Sequence, residues 1–161
     1  PLALDAVRPG IAVLGHYPSA AEHRLRRIPL EPALALKARV FAVKALRAGE
    51  PVGYHQTYRA PADETLALGA IGYADGCPLQ LAGRGAALMG GRRHPLVASV
   101  TANHIWLRCQ GGAVRPGDDI VLYGRQGAEE IDLQEAAGLT ERSVYNLLAR
   151  LNPELPRFYT D

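Results

Sequence analysis

The feature that most constrains the fold is a long run of alternating side chains over residues 33–46, which reads ALALKARVFAVKAL. Leu36 and Val40 fall on one side of this run, and Lys37 and Arg39 fall on the other. Alternation with a period of two is typical of a half-buried β-strand. The run therefore predicts one long strand with an apolar face and a charged face.

Short apolar segments separated by turn residues follow this strand. They are residues 65–71, 86–89, 96–100, 104–107 and 120–123. Gly90-Gly91 is a hairpin signal between two of them, and the Arg-Pro-Gly-Asp sequence at 115–118 is a turn signal. Many short strands with regularly spaced turns predict an antiparallel barrel or sandwich.

Helical patterns occur only near the end of the sequence. Asp132 is a candidate N-cap for a short helix that Gly138 ends. Thr140 is a candidate N-cap for a second helix over 141–150, and residues 157–159 are a candidate last strand. The sequence therefore predicts a mainly β chain with short helices near the C-terminus.

The segment before the long strand has a different character. The apolar run 11–14 lies between two glycines and predicts a short buried strand of a parallel sheet or barrel. Residues 16–29 are polar and basic and contain prolines near both ends, which is typical of a linker. This linker is the candidate domain boundary.

Composition excludes several classes of protein. The 161 residues suit one domain, or one domain plus part of another, and 48% of them are hydrophobic, which excludes disorder. The formal net charge of +2 gives no electrostatic footprint for nucleic acid, and no apolar stretch approaches the ~20 residues that span a bilayer. Cys77 and Cys109 fit no zinc or redox spacing, so we expect reduced thiols in a cytoplasmic protein without a metal site.

Three segments contain residues that could carry chemistry, but each has a plain structural explanation when it is taken alone. Tyr54 and His55 lie in a segment between strands, where amphipathic rings are common. Tyr73 precedes an Ala-Asp-Gly sequence that is typical of a turn. Arg8 precedes Pro-Gly-Ile, where a glycine lets backbone amides approach an anion, but a surface arginine before a turn is the simpler interpretation.

In their order along the chain, however, these segments resemble the alanine racemase family. The motifs are RPGI at 8–11, VGYHQTYRAP at 52–61, IGYADG at 71–76, GRQGAEEI at 124–131, and YNLLARL followed by Pro156-Arg157. The resemblance covers nearly the whole chain. It implies a closed Greek-key β-barrel domain over residues 29–161, preceded over residues 1–28 by the end of a TIM-type barrel that binds pyridoxal phosphate.

The resemblance also implies roles for individual residues. Arg8 matches the arginine that faces the pyridine nitrogen of the cofactor, and Gly10 and Ile11 match the residues whose amides hold its phosphate. Tyr54 matches the catalytic tyrosine, which moves the α-proton on one face of the substrate while a lysine serves the other face. Tyr73 matches the tyrosine that narrows the substrate entryway. In the family, both tyrosines reach the active site of the partner subunit of a homodimer.

The chain departs from the family at several positions. Thr101-Ala102-Asn103 stands where the family has Cys-Met-Asp, and the middle amide, here that of Ala102, is the one that contacts the substrate carboxylate. His55 replaces a glycine beside the catalytic tyrosine. Pro153 replaces a tyrosine that binds phosphate in some members.

The cofactor-binding lysine of the family lies upstream of Pro1. Lys37 and Lys44 are the only lysines of the chain, and both match solvated strand positions. We therefore expect the chain alone to be inactive, and the resemblance implies that the complete protein is a homodimer with a composite active site.

The function that the resemblance implies is the pyridoxal-phosphate-dependent interconversion of L-alanine and D-alanine for bacterial cell-wall synthesis. Two alternatives stay open. The chain could be a non-catalytic dimerisation module, or part of a racemase-like protein for another substrate such as serine, which the change at Thr101-Ala102-Asn103 motivates. Neither nucleic acid nor a membrane is an expected partner.

Overall fold

A computed structural model describes residues 5–160 of the chain. The chain divides into two units, Pro1–Leu34 and Ala35–Asp161. Within the described residues, no helix has the length and apolar character needed to cross a membrane.

The first unit contains two short helices and no strand among its described residues. Gly10–Leu14 form a 3-10 helix and Ala20–Leu25 form helix α1. The predicted strand at 11–14 is therefore wrong. An extended segment needs a ladder partner for its backbone groups, whereas the helical turn pairs them locally, as in the hydrogen bond from the Gly15 amide to the Ala12 carbonyl (3.0 Å).

The residues just after the predicted linker pack back on this first helix. Gly15 has a φ of 77°, and a Cβ at this position would lie 1.7 Å from the Glu31 carbonyl oxygen, so only glycine fits. The Ala33 amide donates to the Leu14 carbonyl (3.1 Å). The residues just before and just after the predicted linker are therefore in contact, and the linker itself contains helix α1.

The second unit is mainly β, as predicted. Its described strands are β1 (Leu36–Leu46), β2 (Pro51–Val52), β3 (Tyr58–Arg59), β4 (Glu64–Gly69), β5 (Ala86–Met89), β6 (Arg92–Val97), β7 (Ile105–Arg108), β8 (Asp119–Gln126) and β9 (Glu129–Ile131). Seven of them form an antiparallel sheet in the order β1-β4-β7-β6-β5-β8-β9, and β1 also pairs with β8. Strands β2 and β3 form a separate two-stranded ribbon. A short 3-10 helix occurs at Leu79–Leu81, and Tyr54–Gln56 form a tight turn that is kinked at His55.

Strand β1 confirms the alternating run. Leu36 and Val40 are buried, whereas Lys37 and Arg39 are exposed. Residues 36–39 pair with β8 and residues 40–46 pair with β4, and the register of the β4 pairing shifts at a bulge between Val40 and Ala42. One long strand thus joins two parts of the sheet.

The predicted hairpin at Gly90-Gly91 is also confirmed. The two glycines have φ of 56° and 71° and connect β5 to β6, with Met89 opposite Arg92. Positive φ at both central residues is the geometry of a two-residue hairpin turn. The predicted strand 96–100 ends early, at Val97, because Ala98 has a left-handed φ of 56°.

Two helices, α2 (Leu133–Thr140) and α3 (Val144–Ala149), follow the strands. Asp132 caps α2 as predicted, and its carboxylate accepts a hydrogen bond from the Gln134 amide (2.8 Å). Gly138 does not end α2, which continues to Thr140.

The predicted cap of the second helix is wrong. Thr140 is buried inside α2, where its hydroxyl donates to the Ala136 carbonyl (2.8 Å). Ser143 caps α3 instead and accepts from the Asn146 amide (3.2 Å). The predicted last strand at 157–159 is not present, since these residues have no regular secondary structure.

The core of the second unit is built from the central strands. Leu66, Leu88, Leu107, Ile120 and Leu122 are fully buried. Each such side chain contributes about 1.5–3 kcal/mol by leaving water. The core thereby fixes the ends of these strands, from which the loops of the candidate site extend.

Candidate functional site

Tyr54 lies on the loop between β2 and β3, residues 53–57, which we call the Tyr54 loop. The Tyr54 side chain is 70% exposed. Gly53 enters the loop with a φ of 85°, and His55 and Gln56 have φ of 55° and 53°. Left-handed residues other than glycine cost free energy and persist only where the surroundings hold them. The shape of the loop therefore depends on its supports.

One support is the segment that follows β6. Thr57 Oγ1 and Ser99 Oγ lie 2.9 Å apart and share a hydrogen bond. A Cβ on Gly53 would lie 3.0 Å from the Cβ of Ala98. Residues far apart in the sequence thus contact both ends of the Tyr54 loop.

A second support is a half-buried polar cluster of Tyr58, Glu64 and Arg108, which we call the Tyr58 network. The Tyr58 hydroxyl donates to Glu64 Oε1 (2.6 Å) and accepts from Arg108 Nη2 (2.6 Å). Arg108 Nε lies 2.8 Å from Glu64 Oε2 as an ion pair. Burial and the hydrogen bond to Glu64 raise the pKa of Tyr58, and the hydrogen bond with Tyr58 raises the pKa of Arg108.

Tyr73 lies in a tight turn after β4. The Gly72 amide donates to Asp75 Oδ2 (2.8 Å), and the Asp75 amide donates to the Gly72 carbonyl (3.1 Å). These two bonds close the turn and leave the Tyr73 side chain 53% exposed.

Ala102 lies in a second turn, closed by Thr101 and His104. The Thr101 amide donates to the His104 carbonyl (2.9 Å), and Thr101 Oγ1 accepts from the His104 amide (3.0 Å). Among residues 5–160, the Ala102 N–H has no acceptor, although the Ala102 carbonyl accepts from the Ala74 amide (3.0 Å). The Ala102 amide is therefore available to an anion such as a carboxylate.

The structure brings the three predicted residues of the second unit to one connection, residues 98–104 between β6 and β7. The Tyr73 amide donates to the Thr101 carbonyl (2.9 Å), which joins the two turns directly. The Tyr54 loop contacts Ser99 of the same connection. The Tyr54 loop and the turn that carries Tyr73 therefore both contact the connection that contains Ala102.

Arg8, Gly10 and Ile11 lie in the first unit. Arg8 is exposed. Gly10 begins the 3-10 helix with a φ of 59°, and within residues 5–160 neither its amide nor that of Ile11 donates to an acceptor. Such free amides at the start of a helical turn can bind a phosphate.

The positions that depart from the family are at the surface. His55, Asn103 and Pro153 are exposed, as are Lys37 and Lys44 on β1. In the described part of the chain, no group of three or more His, Cys, Asp or Glu side chains could hold a metal ion. Cys77 and Cys109 are both free.

Sequence analysis missed the Tyr58 network. Tyr58 itself lies in the VGYHQTYRAP motif, but Glu64 and Arg108 meet only because β4 pairs with β7. In the sequence, the only indication of this network is that Glu64 is an acidic residue at the start of the apolar strand β4. That position does not show which residues pair with Glu64.

The family described as "Alanine racemase, C-terminal domain" matches residues 33–159. The protein named "Alanine racemase 2" of Bacillus subtilis (strain 168) is 40% identical over 158 residues, which are 96% of this chain and 40% of that protein. The chain thus spans about 40% of the length of the curated relatives that it matches.

Two solved structures extend the comparison. An alanine racemase from Bartonella henselae with covalently bound pyridoxal phosphate has a TM-score of 0.84 and 28% identity, covering 95% of this chain and 41% of that one. A histidine racemase from Leuconostoc mesenteroides subsp. sake has a TM-score of 0.78 and 33% identity, covering 84% of this chain and 36% of that one. Similar folds therefore occur in racemases with two different substrate names.

Proposed function

Because the chain belongs to the alanine racemase family, whose C-terminal domain it matches, we propose that the complete protein is a pyridoxal-phosphate-dependent racemase that interconverts L-alanine and D-alanine for bacterial cell-wall synthesis. The observation that carries the proposal is that Tyr54, which matches the catalytic tyrosine of the family, is exposed on a loop that the hydrogen bond between Thr57 and Ser99 holds in place.

Tyr54 is the acid–base group that this chain supplies. Racemisation requires a proton to leave the α-carbon on one face and another to arrive on the opposite face, so two proton-transfer groups are needed. The exposed phenolic oxygen of Tyr54 can take and return a proton on one face. The other face belongs to a lysine outside this chain.

Ala102 and Tyr73 bind and select the substrate. The unoccupied Ala102 N–H is a donor for the substrate carboxylate, and it persists whatever the side chain at this position. The half-exposed Tyr73 ring lies on the adjoining turn, whose Tyr73 amide donates to the Thr101 carbonyl. It limits the size of the amino acid that can enter the site.

Pyridoxal phosphate fits the residues of the first unit. When bound, the cofactor withdraws electrons from the α-carbon and so makes its proton acidic. The free amides of Gly10 and Ile11 would hold the phosphate, and the Arg8 guanidinium would face the ring nitrogen. Because arginine keeps its proton, that nitrogen would stay a hydrogen-bond acceptor.

The complete protein is a cytoplasmic homodimer in which Tyr54 and Tyr73 act in the active site of the partner subunit. The exposure of both tyrosine rings supports this arrangement, because a large exposed aromatic side chain is often covered by another molecule. In the complete protein, residues 1–28 end the cofactor-binding barrel. Residues 29–161 close as a Greek-key barrel, which the additional pairing of β1 with β8 supports.

A second candidate function is racemisation of another amino acid. Thr101-Ala102-Asn103 removes an acidic residue from the carboxylate-binding turn, and a histidine racemase shares the fold at 33% identity. Serine and histidine are therefore the alternatives to alanine that deserve a direct comparison.

The test is an assay of the complete polypeptide, loaded with pyridoxal phosphate, on L-alanine, L-serine and L-histidine. We expect D-alanine to form fastest, and Tyr54→Phe to lower its rate by about 10²- to 10⁴-fold. Tyr145→Phe is the matched control, since Tyr145 is a half-exposed tyrosine on α3 and its change should leave the rate unaltered. Faster turnover of serine or histidine would favour the second candidate, and no turnover of any substrate would favour a dimerisation module.

A further inference from the structure

The β2–β3 ribbon that carries the Tyr54 loop is short, and the two backbone hydrogen bonds that extend it, from the Gly49 amide to the Ala60 carbonyl (2.8 Å) and from the Ala60 amide to the Glu50 carbonyl (3.0 Å), lie on the side away from the loop. Its two strands have two residues each and pair as Pro51 with Arg59 and Val52 with Tyr58. They form a separate ribbon outside the seven-stranded sheet. A two-stranded ribbon of this length is not stable alone in water. Side chains must therefore hold the Tyr54 loop in place.

Tyr58 is the side chain that connects the ribbon to the sheet most strongly. Its ring packs against the apolar cluster of Leu46, Val52, Ala60, Leu66 and Val97. Its hydroxyl makes two 2.6 Å hydrogen bonds, one to Glu64 on β4 and one from Arg108 on β7. Both bonds involve an ionised partner, which makes them stronger than neutral hydrogen bonds.

The network has one consistent pattern of hydrogen bonds. Glu64 accepts from the Tyr58 hydroxyl, and Arg108 Nη2 donates to the same hydroxyl, while Arg108 Nε forms an ion pair with Glu64 Oε2 (2.8 Å) without the geometry of a hydrogen bond. Each of the three groups therefore fixes the orientation of the other two. Tyr58 and Arg108 are both protonated in the neutral range, and the network raises the pKa of each still further.

We propose that the Tyr58 network is a positioning device for the catalytic loop, and that Tyr58 affects racemisation only through the placement of Tyr54. Only three residues separate the two tyrosines in the sequence, and two of them, His55 and Gln56, have left-handed φ angles. If the base of the loop moves, these residues relax toward ordinary conformations and carry the Tyr54 hydroxyl with them. This inference rests on the proposed acid–base role of Tyr54.

The test uses the complete protein with its cofactor and compares Tyr58→Phe, Tyr54→Phe and the double variant. The rate of solvent α-proton exchange is measured separately for L-alanine and D-alanine. Tyr58→Phe should slow exchange of the one enantiomer that Tyr54 serves by about 10- to 100-fold, the order of loss that a misplaced group gives, and leave the other enantiomer unchanged. In the Tyr54→Phe background, Tyr58→Phe should have no further effect.

Two further variants separate positioning from general stability. Glu64→Gln keeps the volume and an acceptor for the Tyr58 hydroxyl, so it should lose less of the exchange rate than Tyr58→Phe does. Arg93→Gln is the matched control, because Arg93 forms a comparable network with Glu129 (3.1 Å) and Glu135 (2.6 Å) that shares no residue with the Tyr58 network. Arg93→Gln should leave both exchange rates unaltered.

Several results would overturn the proposal. One is an equal loss of exchange for both enantiomers in Tyr58→Phe, and another is no loss at all. A further loss in the double variant would also contradict it, because Tyr58 would then act independently of Tyr54. Amide hydrogen exchange of residues 53–57 gives a readout that does not depend on catalysis, and it should rise in Tyr58→Phe. If it rises while Tyr54→Phe leaves both enantiomers unaffected, the network holds the loop but the proposed role of Tyr54 is wrong.

Discussion

A Cβ atom on Gly72 would lie 2.2 Å from the carbonyl oxygen of Ala102. The two turns that carry Tyr73 and Ala102 are therefore in backbone contact, and no other amino acid can replace the glycine without moving one of them. The contact explains how Tyr73, after β4, and the Ala102 amide, after β6, which are proposed to form the entryway and to bind the substrate carboxylate, come to lie on adjoining turns.

We predict that Gly72→Ala separates these turns and lowers both stability and substrate binding. The backbone oxygens of Thr101 and Ala102 cannot rotate away, so the extra methyl group should cost about 1–3 kcal/mol or more. Thermal unfolding of the complete protein and the KM for alanine measure the two effects. Gly138→Ala is the control, because Gly138 lies in α2 with nothing near its Cβ position and alanine there should add up to about 1 kcal/mol. An unchanged KM in Gly72→Ala would contradict the account of the site.

The thiol of Cys77 is predicted to be unreactive in the folded protein. Burial, reinforced by the charge of Asp75, raises the pKa of Cys77 from an ordinary 9.0 to about 12. Because the folded value is the higher one, the thiol stabilises the fold below about pH 9, and this contribution is lost as the pH rises toward 12. Alkylation at pH 8 followed by peptide mass analysis should modify the less buried Cys109 first and Cys77 only after unfolding. Equal rates at both thiols would show that the core around Cys77 opens readily.

Arg8→Ala should lower racemase turnover while the complete protein still binds pyridoxal phosphate. The amides of Gly10 and Ile11, which are proposed to hold the phosphate, do not depend on the Arg8 side chain. Cofactor absorbance and turnover are measured on the same sample. Arg24→Ala is the control, as it removes another exposed arginine from the same unit, on α1. Normal turnover in Arg8→Ala would exclude a role for this arginine beside the cofactor ring.

Local patterns in the sequence were enough to predict β1, β4, β5, β7, β8 and the β5–β6 hairpin, but not β2, β3 or β9. The alternation that includes Leu36 and Val40 identified β1, and Gly90-Gly91 identified the β5–β6 hairpin, because both signals act over a few residues. Asp132 was identified as a helix cap for the same reason. Local signals gave the wrong end for α2, because a longer-range contact determines where this helix ends. Gly138 stays helical because its neighbours Ala136 and Ala137 are buried in the core.

The candidate site was predictable only in part. Tyr54, Tyr73 and Ala102 were identified from the resemblance of the sequence to a family. Only the structure shows that they meet at the connection formed by residues 98–104. The apolar run 11–14 was misassigned because a hydrophobic segment without a pairing partner does not form a strand. The Tyr58 network was invisible because Glu64 and Arg108 come together only through sheet pairing.

The measurement that most directly tests the central claim is solvent α-proton exchange of each alanine enantiomer in the complete protein carrying Tyr54→Phe. This change removes the phenolic oxygen and little volume, so cofactor binding should be preserved. The account predicts that exchange of one enantiomer collapses while the other proceeds at the unmutated rate, because the opposite face is served by a different group. Exchange of both enantiomers at the unmutated rate would show that Tyr54 is an ordinary loop tyrosine and would contradict the account.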